Sequence, residues 1–130
     1  MSHRILQPDG WARPHGYANG IAAEGRQVFV SGQIGWDAAQ RIVSDEFAAQ
    51  ARQALANIVA VLATAGAMPE HLVRLTWFVT SRDEYTAALR EIGAAYRELI
   101  GRHYPAMSVA VVAGLLEPRA KVEIEATAVI

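Results

Sequence analysis

The chain has 130 residues, 52% of them hydrophobic and 19% charged, with a formal net charge of −1. A single domain over residues 1–130 can bury a full core at this size, and the balanced charge gives no electrostatic footing for nucleic acid or a membrane surface. No cysteine is present, which excludes disulfides, thiolate nucleophiles and Cys-ligated metals.

The N-terminus lacks the basic-then-apolar pattern of a secretory leader, and no apolar run approaches the ~18 residues of a membrane span, so a cytoplasmic protein is expected. "RILQPDGWARPHGY" reads as a short strand followed by Pro and Gly punctuation. "YANGIAAEGRQVFVSG" reads as two strands with a turn at Glu24-Gly25, and the Gly-rich "GQIGWDAAQRIVS" as irregular. From Asp45 to Ala65, Phe47, Ala51, Ala54, Leu55, Ile58, Leu62 and Ala65 form one apolar stripe at helical spacing. Ser44 can cap this helix and Gly66 can close it.

"HLVRLTWFVT" (His71 to Thr80) is β-branched and aromatic and reads as a strand. "SRDE" (Ser81 to Glu84) is a capping box that opens a second helix, with a stripe of Tyr85, Leu89, Ile92, Tyr96 and Leu99 and a stop at Gly101. "MSVAVVAGL" and "AKVEIEATAV" are the closing strands. The order β-β-β-α-β-α-β-β predicts an α+β fold with two helices on one face of a five- or six-stranded sheet. Two helices cannot cover the other face. Ala110, Val112 and Val129 are its apolar candidates, and a second copy of the chain is the expected cover.

The last strand alternates strictly: Val122, Ile124, Ala126, Ala128 and Ile130 on one face, Lys121, Glu123, Glu125 and Thr127 on the other. The ordinary reading of the two carboxylates is a solvated ladder. The chemical one is that Glu123 holds a water or shuttles a proton. Tyr17, in "HGYANG", can position a substrate through its hydroxyl or simply pack. His15 is an acid or base by residue type, and more ordinarily a loop residue. The glycines of "SGQIG" (Ser31 to Gly35) let a ligand approach the backbone, with Ser31 as a binding hydroxyl. In "RHYPAMSV", Pro105 marks a strand entry, and Met107 is apolar filler or a pocket wall. His3, His15, His71 and His103 are scattered without metal-ligand spacing, so neither metal nor cofactor is expected.

In this order and spacing, "GYANG", "VFVSGQIG", "QARQALANIVAVLATAG", "FVTSRDEY", "YPA" and "VEIEATA" resemble the Rid (YjgF) family of imine and enamine deaminases, from about Tyr17 to Val129. The resemblance implies a chorismate-mutase-like mixed sheet, a homotrimer with clefts between subunits, and cofactor-free hydrolysis of small-molecule enamines or imines to a carbonyl and ammonia. It also implies residue roles: Tyr17 positioning substrate, Ser31 and Gly32 lining the cleft, and Glu123 orienting the attacking water. The family's deaminases carry Arg two residues after the Pro, where this chain has Met107. They carry Asn three before the helix Tyr, where this chain has Gly93 before Tyr96. The carboxylate clamp is therefore missing at Met107, and the expected substrate differs from simple 2-imino acids. The alternative is a non-catalytic small-molecule-binding or regulatory trimer. A holdase or RNA-cleaving role is also attached to the family, and the near-neutral charge disfavours the RNA-cleaving version.

Overall fold

The computed structural model describes residues 3–130. Strands β1 (Arg4–Leu6) and β2 (Gly20–Ala22) pair antiparallel as a separate ribbon. Strands β3 (Gln27–Gln33), β4 (Leu72–Val79), β5 (Ala106–Val111) and β6 (Val122–Val129) form a mixed sheet of order β3-β6-β4-β5. The β3–β6 and β6–β4 pairs are antiparallel, and β4–β5 is parallel. A parallel pair needs a crossover, which is supplied by α2 (Arg82–Ala87) and α3 (Leu89–Leu99). The α+β class expected from the sequence is observed. The single five- or six-stranded sheet is not: its strands divide into a ribbon and a sheet of four, because β2 turns to β1 while β3 turns to β6.

Helix α1 (Phe47–Thr64) lies across β6 and β3 and packs on α3. Its stripe is the one the periodicity predicts, with Ala51, Ala54, Leu55, Ile58 and Leu62 wholly buried against Leu75, Val79, Val122 and Ile124. Each large aliphatic side chain buried this way contributes about 1.5–3 kcal/mol. The start is later than expected. Glu46 occupies the cap position without a side-chain bond, Ser44 Oγ takes the Glu46 N–H at 3.0 Å, and the Asp45 carboxylate pairs with Arg119 at 2.9 Å. Gly66, at φ +73°, ends the helix as predicted.

The second helix is two. Ser81 Oγ accepts the Glu84 N–H at 3.1 Å, but the Glu84 carboxylate does not return to complete the box; it holds Lys121 Nζ at 2.7 Å. At Ala88 the N–H bonds to both the Glu84 and Tyr85 carbonyls, the tighter turn that separates α2 from α3. Ala88 is buried there, and Leu89, expected in the stripe, is 47% exposed.

Gln50 is the one polar side chain among the buried residues. Its amide nitrogen donates to the Ser44 and Arg119 carbonyls, and its oxygen accepts the Lys121 N–H at 2.8 Å. These bonds tie α1 to the loop entering β6. The helices cover one face of the sheet. On the other, Phe29 is 71% exposed, with Ser31, Ser108, Ala110 and Glu125 also open. Of the three apolar residues expected there, only Ala110 is exposed. Val112 is half-buried just beyond β5, and Val129 is buried, with His3 Nε2 3.0 Å from its carbonyl oxygen.

Candidate functional site

Glu123, Ser31 and Gly32 come together on the open face. The β3–β6 register runs Val30 to Ala126 and then Gln33 to Ile124, so one extra residue is accommodated at Ser31-Gly32. Such a bulge re-aims side chains at the cost of local pairing. The Glu123 carboxylate lies against Gly32: a Cβ at that position would stand 2.2 Å from Oε2 and 2.8 Å from Cγ. Only with glycine at position 32 can the Glu123 carboxylate lie this close to the β3 backbone. Ser31 is exposed, and its hydroxyl lies 3.5 Å from the Gln33 side-chain amide. Neither Glu123 nor Glu125 has a hydrogen bond or ion pair among the described residues. Glu123 is half-buried and Glu125 exposed. A half-buried carboxylate with uncommitted oxygens beside bare backbone is of the kind that can hold a water and accept its proton.

Tyr17 and Met107 stand elsewhere. The Ala18 N–H bonds to the Pro105 carbonyl at 3.0 Å, docking the Tyr17 loop on the entry to β5. Tyr17, 41% exposed, lines a cavity of about 420 Å³ with Trp11, Arg13, Arg102 and Tyr104. Met107 lines a neighbouring cavity of about 340 Å³ with Trp77, Tyr85, Gly93, Tyr96 and Arg97, and Tyr104 also contributes to it. His15 and Gly16 reach this second cavity too. Met107 packs on the core, which is the helix side of the sheet.

The Met107 cavity is aromatic. Tyr96 and Tyr104 stack at 5.5 Å, and Trp77 meets Tyr85 edge-on at 6.3 Å. Burial, with Tyr104 as a lesser influence, raises the Tyr96 phenol well above its ordinary value, and burial raises that of Tyr85. Both therefore stay neutral and able to donate through the ordinary pH range. The Tyr96 hydroxyl donates a hydrogen bond to the His103 carbonyl. Among the described residues no three His, Asp or Glu side chains gather as a metal site, and no helix is long and apolar enough to cross a membrane.

The sequence reading missed Trp77, Tyr104 and Arg97 as cavity walls. Gly93 and Arg97 are four apart on one helix, which brings them to the same face as Tyr96; that spacing was a usable signal. Trp77 carried none, because its strand parity marks it only as core.

The Endoribonuclease L-PSP family model matches residues 11–130. The 2-iminobutanoate/2-iminopropanoate deaminase of Salmonella typhimurium is 33% identical over 132 residues, spanning 99% of this chain and 98% of that protein. Protein DfrA of Myxococcus xanthus is 37% identical over 137 residues, spanning 99% and 97%. The crystal structure of YyfB from Yersinia pestis, a conserved Rid-family protein described as of unknown function, superposes with a TM-score of 0.86 at 34% identity and covers 100% of both chains.

Proposed function

The chain belongs to the Endoribonuclease L-PSP family, the Rid (YjgF) family of the sequence resemblance, and on that premise we propose that it is a cofactor-independent hydrolase of reactive imines and enamines. The observation that carries the proposal is the uncommitted Glu123 carboxylate against Gly32 at the β3 bulge. An enamine first tautomerises to its imine. Glu123 then orients a water and accepts its proton as the oxygen attacks the C=N carbon. The proton passes to nitrogen, the carbinolamine collapses, and the C–N bond breaks: imine plus water gives carbonyl plus ammonia. Ser31 and the Gly32 backbone line this half of the cleft.

Tyr17 and Met107 form the other half, from a second copy of the chain in a homotrimer of single-domain subunits. The exposed Phe29 and the open edge residues Val109 and Val111 supply apolar surface for that association. With Met107 in place of the family's Arg, the substrate is one other than a small 2-imino acid. The Salmonella relative named for 2-iminobutanoate and 2-iminopropanoate marks the chemistry and not the preference. The reading places the protein in the cytoplasm, where amine-metabolising enzymes release such intermediates.

The test is a panel of imines generated in situ by an amino-acid oxidase or a dehydratase, following imine loss by semicarbazide trapping together with ammonia release. Hydrolysis above the buffer rate for at least one imine is expected. Binding of the corresponding ketones with only the buffer rate for every imine would favour the non-catalytic binding trimer instead.

A further inference from the structure

The cavity beneath α2 and α3 has the features of a ligand site that no role given above to Glu123 or Ser31 uses. Among the described residues the exposed Arg97, like most of the arginines, makes no ion pair, so its guanidinium is available to an anion. Its Nη1 lies 3.3 Å from where a Gly93 Cβ would stand, so the guanidinium folds back one helical turn across the bare glycine. No Asp or Glu lines the cavity. Trp77, 2% exposed, forms part of the wall, and its indole N–H is buried without an acceptor. The stacked Tyr96 and Tyr104, the Tyr85 edge and Met107 supply an apolar surface for a flat body.

We propose that this cavity binds a carboxylate carrying an aromatic or similarly bulky apolar group, with Arg97 gripping the carboxylate and the aromatic wall packing on the apolar group. The volume of about 340 Å³ is at the lower end of small-molecule sites and suits a single ring with a short acid arm. Arg97 is then this chain's own anion-binding group, reached because position 93 lacks a side chain, and it serves in place of an arginine at position 107. Applied to the deaminase reading, on which this extension rests, the preferred substrate is the imine of a bulky 2-oxo acid. A small imino acid offers Arg97 its charge but leaves the aromatic wall empty.

Binding is measured by titration calorimetry on the intact protein with three probes: phenylpyruvate, which has ring and carboxylate; pyruvate, which has the carboxylate alone; and phenylacetone, which has the ring alone. Phenylpyruvate should bind at least 10-fold more tightly than either of the others. Arg97→Gln, at an exposed position that leaves the core intact, should weaken phenylpyruvate by about 10- to 150-fold and leave phenylacetone unchanged. Equal affinity for phenylpyruvate and pyruvate, or full phenylpyruvate affinity in Arg97→Gln, overturns the proposal. Because this readout needs no turnover, it separates from the deaminase reading: tight phenylpyruvate binding without imine hydrolysis upholds the cavity and removes the enzyme, whereas imine hydrolysis without phenylpyruvate binding upholds the enzyme and removes the cavity.

Discussion

Glu123 and Met107 face opposite sides of the same sheet. On β4, Glu123 is level with Phe78 and Met107 with Leu75, three residues apart and therefore of opposite parity. They also lie two strands apart, which together with the offset separates their Cα atoms by roughly 14 Å. One chain cannot close both around one small substrate. If both belong to one site, it is assembled from two copies.

Mixed assemblies test this. Glu123→Gln removes the carboxylate, and Gly93→Phe fills the Met107 cavity; each alone should be inactive. Co-expressed, the two should regain activity, with about one cleft in four complete under random assortment. Light scattering should give a trimer. A stable monomer at micromolar concentration, or no recovery on mixing, would place the site within one chain.

Gly32→Ala should leave the fold and lower the activity. The three atoms nearest the added Cβ all belong to the Glu123 side chain, at 2.2 to 2.8 Å, so the carboxylate swings aside and the backbone stays. Turnover should drop on the order of 100-fold with little change in Tm. Gly35→Ala is the contrast. Its Cβ meets the Gln50 Cα at 2.6 Å, a contact that cannot yield without moving α1, so Tm should fall. Unchanged turnover in Gly32→Ala would detach the bulge from the chemistry.

Met107→Arg should change preference. Wild type should be poor on 2-aminoacrylate, because a thioether stands where the family's guanidinium grips a carboxylate. Restoring that contact should raise activity on small imino acids by roughly 10- to 150-fold. The new charge enters the cavity that Arg97 lines and narrows it, so bulky aromatic imines should lose ground. Activity of wild type equal to that of an Arg-bearing relative would remove the specificity claim.

Stability should fall at high pH through Tyr96. Its folded pKa is raised by burial, so the folded state keeps a proton that the unfolded chain loses near the ordinary phenol value of about 10. With more protons bound when folded, stability is fully present below about pH 10 and declines above it. Denaturation midpoints from pH 8 to 11 should show this slope in wild type and less of it in Tyr96→Phe. An equal slope in both would assign the alkaline loss to other groups.

Much of this was legible where the period was local. The stripe from Phe47 to Leu62 and the alternation from Val122 to Ala128 each bury one face, and the pattern records it. Pairing is not local, so β2 choosing β1 and β3 choosing β6 left no trace in either strand. The buried role of Gln50 left no local signal, because its partners are backbone groups up to 71 positions away. The break at Ala88 lies in a run of good helix formers and announces nothing. Glu123 could be singled out by its strand face and by family resemblance, but its contact with Gly32 depends on a bulge that only the pairing reveals. Met107 reads as apolar filler or a pocket wall; that it stands across the sheet from Glu123 follows from register alone.

The most direct measurement is the pair Glu123→Gln and Glu125→Gln, assayed for ammonia release on the best imine of the panel. Both carboxylates lie on the same face of β6, but only Glu123 lies against Gly32. Glu123→Gln should lose on the order of 10²–10⁴-fold in kcat with the fold and oligomer intact, and Glu125→Gln far less. Equal losses would mean that the pair is wrongly resolved, and full activity in Glu123→Gln would contradict the account.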